Sequence, residues 1–347
     1  MDFRQVETQN ESNNLGVQAG LPKNFSYKEL KTATKNFKGD NLGSGGSGLV
    51  FKGVLKNGIQ VAVKRVLEND VEHGEWQFER EVLAIASLKH VHLVRLRGYC
   101  THMSETGRIF YIVYDLLPHG SLDRWIFTKT GDPTAKYLSW KDRYRIALEA
   151  AKALVYIHHD CGEPRLHLDV KPENILLDDN FRAVLSDFGL SRLMKNNDSR
   201  ALTACRGTTG YIAPEWNRGV SIKCDIFSYG KVLLDLFFGE RYVCLDQDGK
   251  DIFRSDGNSE GEQQIFHAFM WKELTRSKIM DLIDKRILEK NEEVDEKETI
   301  CLVYTALSCI QEDPKKRPRD MCAVIDILEQ KNTGLSLYLR LLEVLPK

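Results

Sequence analysis

No apolar run in this 347-residue chain approaches the roughly 18 residues that a membrane span requires. The N-terminus also lacks the apolar core of a secretion signal, and Asp2 stands where N-myristoylation requires glycine. A cytoplasmic chain is therefore expected, held at the inner face of the plasma membrane only through a partner or a segment outside this chain. An excess of charge of one sign is missing too: 49 Lys plus Arg against 50 Asp plus Glu leave a formal net charge of -1. No net field draws in nucleic acid or anionic lipid, and no basic cluster is interleaved with aromatics, so a nucleic-acid binder is a distant reading. The eight cysteines (Cys100, Cys161, Cys205, Cys224, Cys244, Cys301, Cys309, Cys322) form no C-x-x-C pair and have no His at metal-ligand spacing. They read as reduced, buried thiols. No repeat is visible.

What is present divides the chain. Residues 1–24 are polar and rich in Asn and Gln, and read as a flexible arm. Ser26 followed by Glu29 is a capping-box start for a short helix that carries Leu30, Ala33 and Phe37 toward a core. Over residues 41–65 a glycine-dense turn leads to Val50 and Phe51, then Asn57-Gly58, then Ile59, Val61 and Val63, the pattern of a hairpin. A helix over about 74–88 places Phe78, Val82 and Ile85 on one face, and strand-like runs follow at 93–99 and 110–114. Beyond Pro118 the pattern is helical. Ser139 and Asp142 start a helix with Ile146, Ala150, Ala153, Leu154 and Ile157 at helical spacing, and residues 225–238 are apolar nearly all round, as in a central buried helix. Residues 246–262 read as an exposed loop. In the tail, Leu335, Leu339, Leu342 and Leu345 can share a helix face, which favours packing on the main body over a partner or membrane contact.

Gly43-Ser44-Gly45-Gly46-Ser47-Gly48-Leu49-Val50 fits G-x-G-x-x-G-x-V, in which backbone N–H groups approach a polyphosphate. An ordinary glycine turn competes with that reading. A dinucleotide site needs a helix directly after the loop, whereas Val50 opens a hairpin, so the loop favours a phosphate cover. Val61-Ala62-Val63-Lys64 puts an ammonium at the end of the next strand. Glu81 on the following helix is the preferred carboxylate partner, with Glu79 the competitor.

His167-Leu168-Asp169-Val170-Lys171-Pro172-Glu173-Asn174 is the most specific segment. Asp169 can orient a hydroxyl nucleophile and accept its proton, Lys171 can neutralise a transferring phosphoryl group, and Asn174 offers an oxygen to Mg²⁺. His167 braces the loop. Asp187 of Ser186-Asp187-Phe188-Gly189 is a second hard-oxygen ligand. Together with Gly207-Thr208-Thr209-Gly210-Tyr211 and Ala213-Pro214-Glu215, it frames a segment suited to receiving a peptide.

On these motifs the chain resembles the eukaryotic protein kinase family over residues 25–331. Phe25-Ser26-Tyr27 with Ala33-Thr34, Leu96-Arg97-Gly98-Tyr99-Cys100 and Gly120-Ser121-Leu122 resemble the plant receptor-like kinases and their Pelle-type relatives. The resemblance implies an α+β, two-lobed fold: a kinase domain over 25–333 and an apolar tail over 334–347. Its N-lobe, a small antiparallel sheet with one main helix, would cover about 25–114; the hinge would be 115–117, and a mainly helical C-lobe 118–333. It further implies ATP with Mg²⁺ or Mn²⁺, protein substrates carrying Ser or Thr, and a membrane receptor or co-receptor kinase as a partner. The implied ATP site comprises Leu42, the loop from Gly43 to Gly48, Val50, Ala62, Lys64, the gatekeeper Tyr114, Asp115, Leu117 and Ser121. By the same resemblance Ser199, Thr203, Thr208, Thr209, Tyr211 and Glu215 belong to the activation and substrate segment. Thr208 would contact Asp169, Glu215 would pair with Arg317, and Asp225 would anchor the catalytic loop.

Leu168 departs from the family pattern, which has Arg before the catalytic Asp to bind an activating phosphate. Reduced dependence on phosphorylation at Ser199, Thr203 or Thr208 is the expectation, with Arg192 or Arg206 compensating in part. The rival reading is a pseudokinase scaffold, which loss of Lys64, Asp169 or Asp187 would have favoured; all are present. A small-molecule kinase of similar fold is a further alternative.

Overall fold

Alternation along two neighbouring strands sorts the N-terminal sheet into faces. Val61, Val63, Tyr111 and Val113 turn to one side, where they pack with Phe25, Leu30 and Cys100. The intervening Ala62, Ile112 and Tyr114 pack into the main core on the other side. The computed structural model describes residues 22–39, 41–45, 48–66, 71–105, 107–128, 136–194, 207–241, 279–290 and 292–330. Most of the arm, the loop at 246–262 and the tail at 334–347 lie outside the described residues.

The sheet is six-stranded in the order β1-β5-β6-β4-β3-β2. Its strands are β1 (Lys23–Asn24), β2 (Asn41–Gly45), β3 (Gly48–Val54), β4 (Gln60–Arg65), β5 (Leu96–Ser104) and β6 (Gly107–Asp115). All pairings are antiparallel except that of β1 with β5, which is parallel. The sheet is antiparallel as expected apart from that edge, where Gly98 allows the two backbones to approach closely: a Cβ there would stand 2.0 Å from the carbonyl oxygen of Lys23.

Helix α1 (Tyr27–Ala33) has the capping box at Ser26 and Glu29, but it ends before Phe37. Phe37 lies beyond the helix at φ 55° and reaches the sheet from there, its ring 5.1 Å from that of Tyr111. Helix α2 (Val71–Ala86) begins earlier than the apolar period suggested and buries Phe78, Val82 and Ile85.

The second lobe is built on helices α3 (Asp123–Ile126), α4 (Trp140–Val155), α5 (Ile222–Phe238), α6 (Lys285–Glu289), α7 (Glu296–Cys309) and α8 (Met321–Leu328). Ser139 caps α4 and Ser221 caps α5, each accepting a main-chain N–H of the first turn. Short strands β7 (Gly120–Ser121), β8 (Arg165–Leu166), β9 (Ile175–Leu177), β10 (Ala183–Leu185) and β11 (Arg192–Leu193) form a three-stranded sheet, β10-β9-β7, and a two-stranded one, β11-β8. The lobes are joined where Leu185 N–H donates to the His92 carbonyl and Val94 N–H to that of Leu185, both at 2.9 Å. The fold is α+β and two-lobed.

A buried ionic knot closes the second lobe. Asp284 accepts from Arg143 Nη2 at 2.5 Å and from Arg286 Nε at 2.9 Å, while Arg143 Nη1 donates to the Leu236 carbonyl at 2.8 Å. The knot thus fastens α4, the end of α5 and α6 together. Gly239 ends α5 at φ 69°, and a Cβ there would meet Asp284 Oδ2 at 1.9 Å. Burial raises the Asp284 carboxyl, but Arg286 and Arg143 outweigh it and hold it below its ordinary value. Asp284→Ala leaves two buried guanidinium groups unpaired, and urea unfolding is expected to show a loss of about 3–5 kcal/mol.

Candidate active site

Asp225, in the first turn of α5, is fully buried and organises the loop above it. Its carboxylate accepts from the main-chain N–H of His167 at 2.8 Å and of Leu168 at 2.7 Å, and from His158 Nε2 at 2.8 Å. These bonds hold Leu168 at φ 68°, a left-handed conformation rare for an apolar side chain. The Leu168 side chain is buried in the main core. His167 accepts from Asp169 N–H at Nδ1 (3.2 Å), so its Nε2 carries the proton and donates to the Ser186 carbonyl at 2.9 Å. It braces the loop against the segment that carries Asp187.

Above this base, Asp169, Lys171, Asn174 and Thr208 converge. Asn174 Nδ2 donates to both the carbonyl and Oδ2 of Asp169, each at 2.8 Å. Both amide hydrogens are thereby used, and the side-chain oxygen is the atom left for a cation. Lys171 Nζ lies 2.8 Å from Asp169 Oδ2 and donates to Thr208 Oγ1 at 2.6 Å. Thr208 in turn donates to Asp169 Oδ1 at 2.8 Å.

Across the cleft, Lys64 at the end of β4 meets Glu81 of α2. Nζ lies 3.0 Å from Oε1 and 2.8 Å from Oε2, and 2.9 Å from Asp187 Oδ1. Glu81, not Glu79, is thus the partner that the backbone presents. Tyr114, on the adjacent β6, donates its phenol to Glu81 Oε1. Burial opposes the charge on Lys64, but Asp187 and Glu81 together outweigh it and raise its pKa. Burial pushes Glu81 upward, and the negative charge of Asp187 adds to this against the pull of Lys64. Two carboxylates share one ammonium, so the cluster is net negative and attracts a cation.

Asp187 and Asn174 fit such a cation chemically, both offering hard oxygens. They are drawn together because Ser186, next to Asp187, donates its N–H to the Asn174 carbonyl at 2.8 Å. Among the described residues no group of three or more His, Cys, Asp or Glu could hold a metal by itself. Two protein ligands completed by phosphate oxygens and water suit Mg²⁺.

The glycine loop spans the end of β2 and the start of β3, with Gly45 paired to Gly48. Gly48 sits at φ 148°, where a Cβ would stand 2.3 Å from the Arg65 carbonyl oxygen. Gly46 and Ser47 lie outside the described residues. Leu42 carbonyl accepts from Arg124, Ala62 pairs with Tyr114, Val50 pairs with Lys64, and Ser121 pairs with Leu176. Asp115 forms an ion pair with Arg97, and the Leu117 carbonyl accepts from Gly120 N–H at 3.2 Å. Glu215 and Arg317 form a bidentate pair at 2.6 and 2.8 Å.

The sequence pattern of the protein kinase domain matches residues 37–327. The chain belongs to the protein kinase family. A probable receptor-like protein kinase of Arabidopsis thaliana is 48% identical over 316 residues, 90% of this chain and 67% of that relative. Two G-type lectin S-receptor-like serine/threonine-protein kinases of the same plant are 42% and 40% identical over 93% and 91% of this chain. The chain spans 37% and 36% of those two proteins. It carries a protein kinase domain similar to those of receptor-like protein kinases.

In this kinase domain Thr209 is exposed, while Tyr211 is buried with its phenol donating to Asp235 Oδ2 at 2.5 Å. Tyr211 is therefore a wall of the segment. Ser199, Thr203 and Arg206 lie outside the described residues, and Arg192 is buried in β11. Sequence reading did not find His158 beneath Asp225, the Tyr114 bond to Glu81, or Arg80, whose Nη2 donates to the Ser191 carbonyl at 2.8 Å. Arg80 directly precedes Glu81 on α2 and so points to a different side of the helix, and nothing in the sequence identifies its acceptor.

Burial raises the Asp225 carboxyl, but His158, His167 and the loop N–H groups prevail and hold it below its ordinary value. Its stabilisation is present above the unfolded carboxylate pKa, near 3.8, and lost as pH falls through the lower folded value. Asp225→Asn should cost about 2–4 kcal/mol near neutral pH in denaturant titrations, a difference that shrinks below about pH 4.

Proposed function

We propose that the chain transfers the γ-phosphoryl group of ATP to Ser or Thr hydroxyls of protein substrates, with Mg²⁺ as the metal. The observation that carries this reading is the Thr208 hydroxyl, which donates to Asp169 and accepts from Lys171. Asp169 is in position to orient a substrate hydroxyl and take its proton, and Lys171 to meet charge on the transferring group. Lys64, held by Glu81, would position the phosphates beneath the glycine loop. When bound, Mg²⁺ would offset phosphate charge, held by Asp187 and Asn174.

Receptor-linked signalling is the proposed setting, supported by the names of the relatives. Among the described residues no helix is long and apolar enough to cross a membrane. A cytoplasmic place is proposed, reaching the plasma membrane through a receptor or co-receptor kinase, or through a segment outside this chain.

Control is proposed to rest less on activation-loop phosphorylation. Leu168 has no charge to offer a phosphate, and its backbone is already set by Asp225. A phosphatase-treated, folded sample should keep most of its activity; loss of transfer would sink this idea.

Asp169→Asn should lower kcat by about 10²–10⁴-fold, measured as Mg²⁺-dependent transfer of labelled phosphate. Equal transfer by both proteins would remove the catalytic assignment and return the scaffold reading.

A further inference from the structure

Arg241, just beyond the end of α5, turns back to the catalytic loop and forms an ion pair with Glu173. Glu173 lies inside that loop, between Lys171 and Asn174. The guanidinium also donates to the Tyr211 phenol oxygen at 3.2 Å, and its central carbon lies 4.8 Å from the Phe127 ring centre and 5.7 Å from that of Tyr211. Tyr211 donates its own phenol hydrogen bond to Asp235 Oδ2. Since Tyr211 follows Thr208 in the segment that touches Asp169, Arg241 fills the space between the catalytic loop and the peptide-docking segment.

Glu173 flanks that space, and the buried Asp235 lies behind it, taking the Tyr211 phenol hydrogen bond. Without Arg241 it would be an acidic subsite beside the acceptor hydroxyl, suited to an Arg or Lys of the substrate. With Arg241 the site is already filled. A tethered guanidinium held against two aromatic rings has an effective concentration far above that of a peptide competing for the same carboxylate.

We propose that Arg241 is a specificity-determining residue that occupies this acidic subsite in cis and removes a preference for basic residues near the accepted Ser or Thr. This rests on the kinase reading above and names the substrate class of that site: peptides whose acceptor is not flanked by a required Arg or Lys.

The test measures kcat/KM on a set of Ser peptides in which a single Arg is placed in turn at each position around the acceptor, against an Ala-flanked parent. The unaltered chain and Arg241→Lys should show no gain from Arg. Arg241→Ala should gain about fivefold at one position, with the KM for ATP unchanged, and the added substitution Glu173→Gln should abolish that gain. An equal gain in the unaltered chain, a gain that survives Glu173→Gln, or a uniform loss across all peptides in folded Arg241→Ala would each overturn the inference. If Arg241→Ala does not fold, Glu173→Gln alone gives the mirror test: the unpaired Arg241 should favour a Glu beside the acceptor, and no such shift overturns the inference. Transfer to the parent peptide reads the kinase assignment separately. Its absence in the unaltered chain would remove that assignment and the inference with it.

Discussion

A single buried carboxylate sets the geometry of the loop at residues 167–174. Asp225 has no access to water, so its charge is tolerable only if every lone pair is met, and the donors that meet it are the loop N–H groups and His158. Satisfying Asp225 therefore dictates the backbone of His167 and Leu168. It forces Leu168 into a conformation that a free chain would avoid, and Asp169 then faces the cleft. Because α5 is buried along almost its whole length, the anchor is rigid.

The same logic explains why Leu168 is compatible with an ordered site. An Arg in that place would leave a cation to be matched by an activating phosphate. A leucine instead adds to the core beneath the loop, and order comes from packing and from Asp225. The cleft between the lobes follows a different rule, since Lys64, Glu81 and Asp187 form a small ionic cluster from separate elements, with the Tyr114 phenol donating to it. Its net negative charge makes it responsive to whatever cation enters the cleft.

Much of the fold was legible because the signals are local. Ser26 with Glu29, Asn57-Gly58 and the apolar spacing of α4 and α5 each act over a few residues, where turn chemistry and periodicity operate. The exceptions have local causes that only three dimensions reveal. Phe37 looked like a helical core position, yet the chain leaves the helix at Thr34 and delivers the ring from a left-handed turn. The parallel edge strand pairs Lys23 with Gly98, a contact between segments far apart in sequence.

The sequence by itself determined the chemistry available: an acid, a cation and an amide within one short loop, a second acid soon after, and a strand-end lysine behind a glycine turn. Within each motif those groups lie close along the chain, so their types and spacing are visible without a structure. Only the tertiary structure decided how they are held and what flanks them. His158 beneath Asp225, Tyr114 on Glu81 and Arg241 on Glu173 join residues 67, 33 and 68 positions apart. Such pairs leave no period and no motif, because each is created by two elements packing for apolar reasons that bring their polar groups together.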